Sequence, residues 1–151
     1  MAKSGINIEL PKFQIDKLNR DLNAYAKTKD NQIANEIERT LYNILSDAKR
    51  EVGRISSRLL TSGFVQFFRR KLSGTVFFNA NYAPFVEFGT GKNVFRGSNF
   101  NFTADIRQYA SQFKRGGKRN PNLKARPYLF PAFVDNTKKL TERIQKLLNK
   151  K

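Results

Sequence analysis

The feature that most constrains this chain is a stripe of apolar residues running from Ile33 to Leu59. Ile33, Ile37, Leu41, Ile44, Ala48, Val52, Ile55 and Leu59 recur at spacings of three and four. That period sets them on one side of an α-helix. The expectation is one long helix, with Asp30 as its N-cap and Gly63 as its end. A helix with a single apolar side needs one partner surface, so it is expected to lie on a sheet; a coiled-coil seam is the alternative.

Material for the sheet follows directly. Phe64 to Leu72 and Thr75 to Tyr82 are two β-rich runs joined by Ser73-Gly74, a two-residue hairpin signal. Val65, Phe67, Val76 and Phe78 are expected on the core face. The neighbouring aromatics in Phe67-Phe68 and Phe77-Phe78 imply that the second face is covered too, by a subunit contact if the protein is an oligomer. Upstream, Ile6, Ile8 and Leu10 alternate as a short strand closed by Pro11, and Ile15, Leu18, Leu22 and Tyr25 follow helical spacing before a break at Lys27 to Asp30.

Residues 92–124 are rich in Asn, Gly, Phe and basic residues, and far longer than an ordinary connection. A short helix from Ala104 to Phe113 is expected there, with Gly116-Gly117 and Asn120-Pro121 as breaks. After Pro127 and Pro131 a final helix places Phe133, Leu140, Ile144 and Leu147 on one face and Lys138, Lys139, Arg143 and Lys146 on the other. The fold class is therefore α+β: a small antiparallel sheet packed against a long N-terminal helix and a C-terminal helix, with a long basic loop. One domain spans 1–151, carrying an N-terminal extension of about 1–30 and an inserted loop of about 92–124.

Composition narrows the chemistry. The chain has no His, no Cys and one Met. A His-assisted nucleophile, an imidazole proton shuttle, structural zinc and iron–sulfur clusters all need residues it lacks. No apolar run approaches the roughly 18–20 residues of a membrane helix, and the N-terminus has no signal-peptide core. A soluble, non-secreted protein without cofactor, metal or catalytic activity is expected.

The 29 Lys and Arg against 12 Asp and Glu give a net charge of +17, unevenly distributed. Residues 1–63 carry a net +3, residues 64–126 a net +10 and residues 127–151 a net +4. The excess sits at the hairpin (Arg69, Arg70, Lys71) and in the loop (Lys92, Arg96, Arg107, Lys114, Arg115, Lys118, Arg119, Lys124). These cations suit a solvated, self-repelling loop that keeps the protein in solution, or a loop that meets a polyanion or an acidic protein surface. Phe95, Phe100, Phe102, Tyr109 and Phe113, interleaved with them, suit base stacking or a loop that orders on docking. No helix-turn-helix, finger or other readout motif accompanies them. A sequence-independent nucleic-acid-binding protein using its basic loop is thus one reading.

Two motifs flank the loop. Tyr82-Ala83-Pro84-Phe85-Val86-Glu87-Phe88-Gly89-Thr90-Gly91 reads as a proline-initiated helical turn stopped by Gly89, with Tyr82, Phe85 and Phe88 as one aromatic face. Glu87 is the only acid between Glu51 and Asp105, and Arg126 is its first candidate partner. A lone carboxylate without a second acid is poor ground for catalysis. If Glu87 and Arg126 pair, Glu87→Lys blocks assembly and leaves the monomer folded. The second motif is Ala125-Arg126-Pro127-Tyr128-Leu129-Phe130-Pro131-Ala132-Phe133, a rigid entrance to the last helix in which Pro127 holds Arg126 extended.

The two motifs in this order, between a long helix with its hairpin and a terminal helix, resemble the tail-component family of long-tailed bacteriophages, its tail-completion or head–tail joining proteins. The likeness covers about residues 30–149; the departures are the loop of 92–124 and the segment up to Asp30. The resemblance implies a non-enzymatic virion structural protein, made in the host cytoplasm and sited in the tail or neck. It implies a homo-oligomeric ring, expected to be a hexamer, at the head-proximal end of the tail. Its partners would be tail-terminator, tail-tube or neck proteins, with non-specific contact to packaged DNA and none to membrane. Tyr82, Pro84, Phe85, Glu87, Phe88, Gly89, Arg126, Pro127 and Tyr128 would then belong to the assembly interface.

Overall fold

The computed structural model describes residues 8–9, 16–17, 20, 30–95, 101–115 and 122–149. The architecture is α+β. A short strand β1 (Ile8–Glu9) is followed by helix α1 (Asp30–Val52), helix α2 (Ser57–Thr61), the hairpin β2 (Gly63–Phe68) and β3 (Ser73–Phe78), helix α3 (Ala83–Phe88), helix α4 (Ala104–Ser111) and helix α5 (Leu129–Asn149). The sheet is antiparallel with order β1-β3-β2, so β3 is central and β2 is an edge. Ile8 sits opposite Val76, as the alternation at the N-terminus predicts; Ile6 and Leu10 lie outside the described residues. Residues 16–17 and 20 are helical, within the helix expected from Ile15 to Tyr25, most of which is likewise outside them.

The apolar stripe buries as its period requires, but not as one helix. Ile33, Ile37, Leu41, Ile44, Ala48 and Val52 form the inner side of α1. The helix then stops: Gly53 to Ile55 form a turn in which Ser56 N–H still donates to Val52 O at 3.1 Å. Glycine is among the poorest helix formers, and Ser56 restarts the chain as the N-cap of α2, its Oγ accepting from Leu59 N–H at 3.4 Å. Leu59 is fully buried, so the core continues across the break. Asp30 is the first residue of α1, not a cap outside it.

The hairpin also differs from its sequence signal. Phe68 pairs with Ser73, so the connection is the four residues Arg69 to Leu72: a 3-10 turn over Arg69–Lys71, then Leu72 in the left-handed region at φ 46°. Ser73-Gly74 is strand. Gly74 is small for another reason: a Cβ there would lie 2.1 Å from Cδ1 of Leu41, so the glycine lets α1 approach β3. Val76 and Phe78 are buried on that inner face, and Val65 and Phe67 are partly buried against the same core. The outer face is not covered by any described element. Phe64 and Phe68 are 40% and 47% exposed, and Phe64 meets Phe77 edge-on at 4.3 Å.

Helix α5 packs against α1. Asn136 Nδ2 donates to Asp47 Oδ2 at 2.7 Å, and about two turns further on Arg143 reaches back to Glu36 (2.8 Å) and to Thr40 Oγ1 (2.8 Å). Residue numbers rising on α5 while falling on α1 make the pair antiparallel. Leu129, Ala132, Asn136, Leu140 and Ile144 are buried, with Phe133 and Leu147 partly so, close to the face the sequence predicts.

Candidate functional site

The two flanking motifs fold onto one another. Helix α3 is a six-residue turn with Pro84 in its first turn, where a missing N–H costs nothing. It ends at Gly89, whose φ of 77° favours glycine. A Cβ at Gly89 would also lie within 2.7–2.8 Å of Asn93 O, Leu123 O and Ala125 N. The second motif therefore runs directly against the first. Arg126 N–H donates to Val86 O at 2.8 Å, and Thr90 N–H to Leu123 O at 2.9 Å. Leu123 N–H donates to Thr90 Oγ1 at 2.7 Å. Asn122 closes the outer end: its Oδ1 accepts from Lys92 N–H at 3.2 Å and its carbonyl from Asn93 Nδ2 at 2.6 Å.

Glu87 is the centre of this seam. It is fully buried, and its carboxylate meets the start of α5. Oε2 accepts from Tyr128 N–H at 2.9 Å and from Leu129 N–H at 3.0 Å; Oε1 accepts from Phe130 N–H at 2.9 Å. An α-helix leaves its first four N–H groups without intrahelical partners. For a helix beginning at Leu129 these belong to Tyr128, Leu129, Phe130 and residue 131. One carboxylate takes three of them, and Pro131 has no fourth to offer. The helix dipole adds a favourable field for the same charge. Burial nonetheless pushes the Glu87 carboxyl above its ordinary range, and the three N–H donors only partly offset that shift.

This arrangement replaces the expected Glu87–Arg126 pair. Arg126 is exposed while Glu87 has no surface at all; the two motifs meet through the Arg126 peptide, not its guanidinium. The expectation that Glu87→Lys leaves the monomer folded falls with it, since a lysine there would bury a cation against three N–H donors.

Of the other expected interface residues, Pro84, Phe88, Gly89 and Tyr128 are buried inside the chain. Tyr128 packs edge-on against Phe78 at 5.0 Å, and its hydroxyl points to Ala83 O at 3.5 Å. Desolvation, then the nearby Glu87 charge, keep that phenol protonated. Tyr82 and Pro127 are half-buried, and Phe85 is 37% exposed. The predicted common face of Tyr82, Phe85 and Phe88 forms only in part: Phe85 and Phe88 both meet the ring of Phe113, at 5.0 and 6.2 Å, while Tyr82 turns to a hydroxyl–hydroxyl hydrogen bond with Ser56 at 2.8 Å.

The described aromatics of the loop pack on one another, with Tyr109 keeping 41% exposure. Phe88 contacts the rings of Phe95, Phe102, Tyr109 and Phe113 with centroids 5.8–6.2 Å apart. Phe102 continues to Phe130 at 4.6 Å. Helix α4 and the 3-10 turn Gln112–Arg115 occupy the helical segment predicted from Ala104. Phe100, Arg96, Lys118 and Arg119, with the Gly116-Gly117 and Asn120-Pro121 breaks, lie outside the described residues, as does the Arg115 side chain.

The expected basic residues divide into two groups. Arg69, Arg70 and Lys71 are exposed at the hairpin tip, where Arg69 reaches Asn35 (2.8 Å) and Glu38 (3.6 Å) on the first half of α1. Lys92, Arg107, Lys114 and Lys124 are exposed on the seam and on the loop it closes. Sequence reading missed the buried polar links between α1 and α5. Asn136 carried a signal, being a polar residue within the spacing Ala132, Asn136, Leu140, Ile144. Among the described residues no group of three or more His, Cys, Asp or Glu is placed to hold a metal ion, and no helix is long and apolar enough to cross a membrane. Comparison with protein-family models, with curated proteins and with solved structures finds no match to this chain.

Proposed function

We propose that this chain is a non-enzymatic structural component of a bacteriophage virion, a tail-completion or head–tail joining protein that forms a ring at the head-proximal end of the tail and links it to the neck. The observation that carries the reading is the seam. The two motifs on which the family resemblance rests, separated by the 33 residues 92–124, are each other's binding surface, through Glu87 and the first turn of α5 and through Gly89 and Ala125. Their residue types are therefore explained as one unit.

A second feature favours assembly over action as a monomer. The outer face of the hairpin presents Phe64 and Phe68 beside the half-buried Phe77, and β2 is an edge strand. An exposed aromatic face on an edge that no described strand pairs with is an aggregation hazard that a subunit neighbour removes. In this reading the subunit contacts use the outer sheet face, with the surface-accessible Tyr82, Phe85 and Pro127 as further contacts, while Pro84, Glu87, Phe88, Gly89 and Tyr128 hold the shape from within. Mass measurement of the purified protein, with a search for it in purified particles, tests the proposal. A ring-sized species and incorporation into tails are expected. A strict monomer that is never found in particles overturns it.

A further inference from the structure

We propose that the closed base of the insertion is a phosphate-backbone contact surface for duplex DNA, formed by Lys92, Lys114, Lys124 and Arg126. This goes beyond the assembly reading and stands independently of it. Between Val52 and Val134 the sequence holds only two acids, Glu87 and Asp105. Glu87 is fully buried and its carboxylate is occupied by three backbone N–H groups, so it gives the surface no negative charge to pair with. All ion pairs among the described residues use acids of α1, namely Glu36, Glu38 and Asp47. The α1 side is thus partly neutralised, whereas the seam side carries Lys92, Arg107, Lys114, Lys124 and Arg126 against the single exposed acid Asp105.

The seam also gathers these cations from three stretches of chain. The turn Gly91–Asn93 packs against the turn Gln112–Arg115, which brings together the segments bearing Lys92 and Lys114. Asn122 is bonded to Lys92 and Asn93, and Leu123 to Thr90, which brings in the segment bearing Lys124 and Arg126. Exposure alternates along that segment: Lys124 and Arg126 are exposed and Ala125 between them is buried, so the two cations share its outward side. A backbone fixed by hydrogen bonds loses little further freedom when its cations meet phosphates. The hairpin trio is a separate patch. Arg69 lies beside Asn35, whereas α5 begins beyond Asp47, about 18 Å further along α1 at 1.5 Å per residue.

Duplex DNA is favoured over single strands because the described loop aromatics are engaged with one another, and backbone contact needs only charge. The test titrates a fluorescent random-sequence 20-base-pair duplex at salt concentrations from 50 to 200 mM. The triple variant Lys92→Gln, Lys114→Gln, Lys124→Gln is compared with a charge-matched triple on α5, Lys138→Gln, Lys139→Gln, Lys146→Gln. All six lysines are exposed, and circular dichroism melting checks that both variants fold. The seam triple is expected to weaken binding about tenfold or more and to flatten the log–log salt slope by about 2–3, near 0.9 per phosphate contact. The α5 triple is expected to change affinity less than about threefold. Equal losses in the two triples overturn the proposal, as does wild-type protein that fails to bind at 50 mM salt. Polyglutamate displacing the duplex as well, charge for charge, as unlabelled DNA also overturns it and assigns the surface to an acidic protein.

Discussion

Oε1 of Glu87 stands 2.9 Å from the peptide nitrogen of Phe130, a residue 43 positions away and in the first turn of the last helix. This contact, with the two at Oε2, anchors the start of α5 to α3 and holds the intervening chain as a closed loop.

Glu87→Gln is expected to destabilise the fold by about 2 kcal/mol. The amide oxygen can still serve the Tyr128 and Leu129 N–H groups, but the amide nitrogen then faces the Phe130 N–H, donor against donor. Glu87→Ala strands all three N–H groups and is expected to cost about 4 kcal/mol, near the exceptional end for a single substitution. Urea unfolding midpoints rank the two. Equal stability of wild type and Glu87→Ala would remove the cap from the account of the fold.

The pH dependence of that interaction follows from the direction of the shift. Desolvation raises the folded-state pKa of Glu87 above its unfolded value near 4.5. A group raised in this way contributes stability that is fully present below the unfolded value and is lost as pH rises through the folded one. The advantage of wild type over Glu87→Gln is therefore expected to be larger at pH 4 than at pH 8. Taking the difference cancels the other carboxylates, which both proteins share. A gap that widens toward pH 8 would mean that the N–H donors outweigh burial.

Gly89→Ala is expected to lose about 3 kcal/mol or more. The residue holds φ at 77°, and three backbone atoms, which cannot swing aside as side chains do, surround the place a Cβ would take. A melting temperature within a degree or two of wild type would show that the seam can open without cost.

How much of this was legible in the sequence depends on range. Local period gave the buried positions of α1 and α5, since any helix on a core repeats at three and four. The break after Val52 was foreshadowed by Gly53 and Ser56, but the stripe runs through them because Leu59 buries on the same side. Ser73-Gly74 is misleading in isolation: glycine is read as a turn signal, and its reason for being there is Leu41, 33 residues away on another element. Glu87 shows the same limit. A lone acid beside a basic segment invites an arginine partner, whereas its real partners are peptide groups, which have no residue code.

The Gly74 and Leu41 contact supplies the last prediction. Gly74→Ala alone is expected to cost about 2 kcal/mol, because its Cβ would sit 2.1 Å from Leu41 Cδ1 and 3.1 Å from Gln66 O, forcing α1 away from β3. Leu41→Ala alone, at a fully buried position, is expected to cost about 3 kcal/mol through the cavity it leaves. In the double variant the new methyl occupies part of that cavity, so the combined loss should be at least 1 kcal/mol less than the sum of the two. Additive losses in the denaturation cycle would mean that the strain at Gly74 comes from the Gln66 carbonyl across the hairpin. In that case the glycine is required by strand pairing and not by the helix.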